Sequence, residues 1–369
     1  MRLIRPGRRT RAATALGALG LALLLAGCGD EESQAEASGC PPDSGTFGEP
    51  DEEEVTEVDS EALVVYSGRN EELVGPLYED FTEETGIEVS VRYGNSATLA
   101  GQLLEEGDQS PADVYLSQDA GALGAMAKAG CLAVLPDETL DVVPEGYRSD
   151  DGTWVGLTGR ARVIVYNPDL VAEDELPESI EDVNDEQWAG EVGIAPGNAS
   201  FQAFVTAMRV LQGEDEAREF LEGLVDNDVQ LYEGNGAILD AVDSGEIAMG
   251  LINHYYSFEK AAEVGAESVT AQLHYLMDGE AGSLVNVSGA SVLGSADRTE
   301  DAQALIEFLL SEPAQTYFAE QTYEYPMIDG VPVAEELPDL ASLDAPEIDL
   351  TDLDTLAETT AMIEEVGLT

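Results

Sequence analysis

The chain is 369 residues long and carries 76 acidic side chains against 15 basic ones, a formal net charge of −61 at pH 7. A surface so acidic repels nucleic acid and anionic lipid headgroups, both of which are recognised through basic patches. Acids are spread along the chain rather than gathered in a tail, the pattern of a halophile's surface, whose self-repulsion is screened over about 3 Å in 1 M salt.

The first 28 residues read as an address. Arg2, Arg5, Arg8, Arg9 and Arg11 form a basic start, and Leu16 to Ala26 an apolar stretch of signal-peptide length. The run Leu25-Ala26-Gly27-Cys28 resembles a bacterial lipobox. It implies removal of residues 1–27 and lipidation of Cys28, hence an extracytoplasmic protein anchored to the cell membrane. Five basic residues and no acids leave with that segment, so the mature chain has 10 basic against 76 acidic residues, or −66. Residues 28–60 read as an acidic, disordered tether. Asp51-Glu52-Glu53-Glu54 within it lacks the glycine-punctuated spacing of a calcium loop. With Cys28 lipidated, Cys40 and Cys131 form an even pair in an oxidising compartment, which suggests one disulfide.

Beyond residue 60, short β-branched runs alternate with amphipathic helical patterns. Leu63 to Tyr66 reads as a strand, and Leu73, Leu77 and Phe81 mark a helix. Ile87 to Val91 is a strand, Thr98 to Leu104 a helix, and Asp113 to Leu116 a strand. Asp119 is placed to cap a helix through Leu123 and Met126. A strand over Val163 to Tyr166 opens a second series. Helices follow around Phe201 to Met208 and Phe220 to Leu224, then a strand at Val229 to Tyr232 and a helix through Ile238 and Val242. The apolar run Ile247 to Ile252 is a strand leading into Asn253-His254-Tyr255-Tyr256. The alternation indicates an α/β sheet with crossover helices, and about 310 residues suit two lobes with a cleft between them.

The paired tyrosines carry the chemistry. Fe(III) is a hard cation that prefers charged oxygen donors, and a bound cation drives the proton off a phenol that would otherwise keep it at neutral pH. Tyr-Tyr at a strand end is otherwise ordinary half-buried packing. Asn198-Ala199-Ser200 precedes the apolar helix at Phe201, where free N–H groups and a helix dipole favour an anion. Asn235 lies between Gly234 and Gly236 as in a turn. His254 and His274 are the two histidines, and His254 reads as structural or as support for a neighbouring ligand. Arg69, Arg160 and Arg162 are candidates to neutralise a bound anion, although pairing with structural carboxylates is the default. Trp154 and Trp188 read as core. No H-E-x-x-H, G-x-S-x-G or P-loop pattern occurs, which argues against an enzyme.

These stretches together resemble a known family. Leu63-Val64-Val65-Tyr66-Ser67-Gly68-Arg69-Asn70, Phe81-Thr82-Glu83-Glu84-Thr85-Gly86-Ile87, Ser110-Pro111-Ala112-Asp113-Val114-Tyr115, Gly159-Arg160-Ala161-Arg162-Val163, Asn253-His254-Tyr255-Tyr256 and Val287-Ser288-Gly289-Ala290 are similar to the ferric-ion-binding proteins of bacterial iron(III) ABC importers. The resemblance implies a two-lobed, class II periplasmic-binding-protein fold, each lobe a mixed sheet flanked by helices, with hinged closure over the ligand. Residues 61–159 with about 287–330 would form the N-terminal lobe, and 160–286 with about 331–369 the C-terminal lobe. The resemblance also implies Tyr255 and Tyr256 as iron ligands. Asn198, Ser200, Asn235 and Asn253 would form the pocket of a synergistic anion, phosphate or carbonate, with Arg69 as a further charge partner. The chain departs from the family at two ligands: Asn70 stands where a histidine is common and Gln118 where a glutamate is, so both enter only as amide oxygen donors. A third tyrosine used by another branch of the family is Phe201 here. The expected function is a monomeric receptor that hands Fe(III) to an ABC permease. The alternative is a protein of the same fold for a ferric chelate or another anionic small molecule.

Overall fold

The computed structural model describes residues 58–277, 279–334 and 337–368. The signal, Cys28, Cys40 and the tether up to residue 57 lie outside the described residues; Cys131 is one half of a disulfide.

The first half of the chain runs β1 (Leu63–Ser67), α1 (Glu71–Thr85), β2 (Val89–Tyr93), α2 (Ser96–Glu106), β3 (Val114–Ser117), α3 (Ala120–Lys128), the short α4 (Asp137–Leu140) and β4 (Val155–Tyr166). Then come β5 (Val192–Ile194), α5 (Ala199–Leu211), α6 (Glu214–Asp226), β6 (Gln230–Leu231), α7 (Asn235–Ser244), β7 (Met249–Asn253), α8 (Tyr255–Val264), β8 (Gln272–His274) and β9 (Val285–Val292). The chain closes with α9 (Thr299–Leu309), α10 (Glu312–Tyr317), β10 (Tyr325–Pro326) and α11 (Leu356–Glu365).

Strand order is β2-β1-β3-β9-β4-β7-β5-β6, with β8 and β10 each pairing β4. Both ends of the sheet are parallel and the middle is antiparallel. The parallel ends follow from the βα alternation, since parallel neighbours need a crossover connection. β4 holds the two ends together: Val155 to Ala161 pair with β9, and Arg162 to Tyr166 pair with β7. All of its 12 residues are buried, as a strand covered on both faces requires.

Two apolar clusters support this sheet. One gathers Val65, Phe81, Leu103, Leu123, Trp154 and Ile306, and the other Ile164, Trp188, Phe204, Phe220, Leu221 and Ile363. Both tryptophans are core, as read from the sequence. The α1 stripe of Val74, Leu77, Tyr78 and Phe81 is buried, and the helix stops at Gly86, whose φ of 76° few other residues adopt without strain.

The C-terminal segment contacts helices from both halves of the sheet. The resemblance places about 331–369 with the second lobe; in the structure Leu350–Asp354 packs on α3 and α11 packs on α5. The cause is steric and polar. Gly121 and Gly124 on α3 leave their Cβ space to the carbonyls of Leu353 and Thr351. Trp154 Nε1 donates to Thr351 Oγ1 at 3.2 Å, and Arg209 Nη1 donates to the Thr355 carbonyl at 2.9 Å. The segment therefore bridges helices from the two halves of the sheet. Gly124→Leu should push residues 350–354 off α3 at a cost of about 1–3 kcal/mol, as for other overpacked sites, read as a lower urea midpoint in constant high salt.

Candidate functional site

Three strands, β3, β5 and β7, each run into the start of a helix, α3, α5 and α8, and all three helix starts border one cavity of about 600 Å³. Clefts of α/β sheets form in this way, outside the carboxyl ends of the strands. The first start supplies Gln118 and Asp119, the second Asn198 and Ser200, the third Asn253, Tyr255 and Tyr256. The sequence correctly anticipates Asp119 as a cap: its side chain accepts from the Ala122 N–H at 3.0 Å.

The tyrosines do not extend a strand. β7 ends at Asn253, opposite Arg162 of β4, and His254 already has helical dihedrals of −57° and −41°. Successive residues on a strand face opposite ways, whereas successive helical residues are turned by only about 100°. Both phenols can therefore line the same cavity. Their rings stack at 4.5 Å with an interplanar angle of 26°, and both are half-buried. Burial pushes the Tyr255 pKa upward and its neighbour Tyr256 adds to this, while Arg160 opposes it. At neutral pH the Tyr255 phenol therefore keeps its proton.

A polar cluster lines the same cavity. Asn198 caps α5, and its Oδ1 accepts from the Ser200 N–H at 2.9 Å and from Ser200 Oγ at 2.7 Å. Ser200 Oγ in turn accepts from Arg162 Nη1 at 3.2 Å and from Asn235 Nδ2 at 3.0 Å. Asn235 begins α7 rather than occupying a turn; it is buried, and its Oδ1 has no hydrogen-bond partner. Arg162 is 4% exposed, its Nη2 donates to the Leu251 carbonyl at 2.9 Å, and its Nε is unpartnered. Among the described residues no carboxylate pairs with Arg162, and burial pulls its pKa below the usual guanidinium value. A buried guanidinium so placed gains from an anion in the cleft.

The remaining candidates separate. Gln118 lines the cavity; its N–H donates to Ser96 Oγ and its carbonyl accepts from Arg160. Asn70 is exposed at the N-cap position of α1 and stands outside the lining. Arg69, carried as an anion partner, is instead committed to Glu324. Nη1 and Nη2 donate to Oε1 and Oε2 at 2.9 and 2.8 Å, because a guanidinium this deeply buried needs a carboxylate. Arg160 shares that carboxylate at 3.5 Å. His254 is fully buried with both ring nitrogens bonded to backbone, and burial lowers its pKa to about 4. Among the described residues no three His, Cys, Asp or Glu side chains gather as a metal site, and the cavity lining offers the phenols of Tyr255 and Tyr256 with the amides of Gln118, Asn198 and Asn253 and the carboxylates of Asp119, Asp354 and Glu358. The C-terminal contribution was not foreseen: Asp354, Thr355, Leu356, Ala357 and Glu358 also border the cavity.

A two-lobed cleft between sheet ends, bordered by helix starts and crossed by paired central strands, defines a solute-binding protein. Residues 109–351 match the family described as bacterial extracellular solute-binding protein, and the chain belongs to that family. It is 33% identical over 309 residues to a protein named Fe(3+)-binding periplasmic protein from Serratia marcescens, covering 84% of this chain and 91% of that one. It is 36% identical over 322 residues to iron uptake protein A1 of Synechocystis, covering 84% and 88%. Among solved structures, iron-bound HitA from Pseudomonas aeruginosa superposes with a TM-score of 0.76 at 37% identity, covering 83% of this chain and 99% of that one. A Trichodesmium protein described as in complex with iron and citrate superposes at 0.74 with 31% identity, covering 84% and 100%.

Proposed function

We propose that this chain captures Fe(III) together with an anion in the cleft and delivers it to an ABC permease, while held at the extracytoplasmic face of the membrane by lipidated Cys28. The observation that carries this reading is the placement of two adjacent half-buried phenols in the same cavity as the Asn198–Ser200–Arg162–Asn235 cluster. Tyr255 and Tyr256 supply oxygen donors to the metal, and the cluster offers N–H groups and a positive charge to the anion. Relatives named for ferric binding and iron uptake support the same cargo.

The test is a visible-absorbance titration of the apo protein in high salt. A saturable phenolate-to-iron band at one iron per protein is expected, and no band would sink the assignment. Phosphate, carbonate and citrate should be supplied in separate arms. A ferric chelate is the second reading, favoured by a cavity of about 600 Å³, which far exceeds one ion with a phosphate, and by the relative with iron and citrate. A band that forms only with citrate would select it. Lipidation is a separate matter, checked by incorporation of a fatty-acid label that Cys28→Ala abolishes.

Binding should also be proton-linked. Burial raises the Tyr255 pKa, so the phenol is protonated at neutral pH and its coordination to a metal would release a proton. Iron affinity is expected to rise about tenfold per pH unit for each proton released, and to fall on acidification. Measuring the dissociation constant at pH 6, 7 and 8 against a chelator of known affinity checks this. A pH-independent value would show that no phenolic proton leaves.

A further inference from the structure

We infer that His254 is a positioning residue for the two tyrosines, a rivet that fixes the first turn of α8 against the crossing strand β4 and the returning segment at Tyr323. This inference rests on the reading of Tyr255 and Tyr256 as the metal's donors.

The side chain is buried completely, next in sequence to Tyr255. Its backbone N–H donates to the Ala161 carbonyl at 3.1 Å, and the Ala161 N–H donates back to His254 Nδ1 at 3.1 Å. Nδ1 is thus an acceptor, which places the proton on Nε2, and Nε2–H donates to the Tyr323 carbonyl at 2.9 Å. One imidazole therefore joins three chain segments, with its tautomer set by both neighbours.

The joined segments matter for the cleft. Ala161 is the last β4 residue paired with β9, and Arg162 is the first paired with β7, so the rivet sits where β4 passes from one end of the sheet to the other. Tyr323 has φ 54°, one of two non-glycine residues in the left-handed region among the described residues. Such a conformation persists only where its surroundings enforce it. The hydrogen bond from His254 and the stacking of Phe258 on Tyr323, at 5.9 Å and 23°, both come from α8's first turn and its junction with β7. The Tyr325 ring packs against the imidazole, their centroids 4.9 Å apart. The phenols thus begin a helix whose start is pinned from two directions, and a pinned donor pair loses less freedom when it takes up a metal.

The competing account is that His254 merely fills space, in which case an apolar side chain of similar size would serve. Three variants separate the two. His254→Asn retains an oxygen to accept from the Ala161 N–H but falls short of Tyr323. His254→Gln reaches toward the Tyr323 carbonyl but gives up the Nδ1 acceptor position. His254→Leu keeps bulk alone. For each variant and the wild type in high salt, iron loss to a competing chelator, the position of the visible band and amide exchange at residues 161 and 254–257 of the apo protein should be measured. Far-UV circular dichroism confirms folding.

The Leu variant is expected to release iron at least about tenfold faster, with a shifted band and faster amide exchange at those positions. The Asn and Gln variants should each recover part of the change. A Leu variant that matches the wild type in release rate, band and local exchange overturns the proposal, as does one that loses thermal stability alone. Should the wild type give no band, the iron reading itself has failed; the exchange arm then still decides whether His254 pins the start of α8.

Discussion

The Tyr255→Phe/Tyr256→Phe variant is expected to lose the visible band and more than about four orders of magnitude in Fe(III) affinity, over 5 kcal/mol. Partners that only orient a ligand cost about 10–100-fold each when removed, so two direct anionic donors must exceed the product of two such losses. The substitution isolates chemistry from folding. Each phenylalanine removes one hydroxyl and leaves the ring, so the 4.5 Å stack between the two rings can persist. Both residues line a cavity, so removing one oxygen from each opens little void in the packed interior. Stability in urea should therefore stay within about 0.5 kcal/mol of the wild type. Competition against a chelator, with the single variants alongside, supplies the measurement. Wild-type affinity in the double variant would move the metal's donors elsewhere in the cleft, to Gln118 and the polar cluster.

How much of this was legible in the sequence depended on the range of the interaction that decides each feature. Strand and helix periodicity is local, so β1, α1, β3, α3, α5 and β7 fall within a few residues of their expected places. Asn198 as a cap is equally local, since its partner Ser200 is two residues away. The tyrosines are legible as a pair following a strand, but the helix that carries them is not. An apolar run before Asn253 signals a strand and nothing in Asn253-His254 signals that the helix begins at once. The glycine neighbours of Asn235 suggest only a turn, and resemblance alone places it in the anion pocket; its contact is with Ser200, 35 residues away. Arg69, Arg160 and Arg162 look alike in sequence. Only the fold shows that Glu324 claims Arg69 and shares Arg160, leaving Arg162 without a carboxylate among the described residues. The segment at residues 350–365 is placed in the second lobe by resemblance alone. Its place against α3 and α5 depends on two glycines more than 220 residues earlier, which no local pattern can report.

Glu324→Gln should be among the most destabilising single substitutions in the chain and yet spare iron binding. The Glu324 carboxylate is 2% exposed, accepts two hydrogen bonds from Arg69 and one from Thr322 Oγ1, and lies 3.5 Å from Arg160 Nε. Glutamine matches its shape but not its charge, so two buried guanidinium groups lose their counter-ion, at a cost of about 3–5 kcal/mol. Urea unfolding at pH 7 in constant high salt reads this directly, and a loss under 1 kcal/mol would show that solvent already screens the pair. Acid should erase the difference. Burial alone would raise the Glu324 pKa, but Arg69 holds it below the usual carboxylate range. Its stabilising contribution is complete above the unfolded glutamate value of about 4.3 and disappears as pH falls through the lower folded value, so the two proteins converge in that window. The cleft should respond in the opposite sense at neutral pH. Glu324 raises the Tyr255 pKa and Arg160 lowers it, so removing the carboxylate leaves Arg160 to favour the phenolate. Iron affinity is therefore expected to hold or rise while stability falls, the reverse of the tyrosine variants. A parallel loss of both would mean that Glu324 shapes the cleft rather than only closing the charge balance behind it.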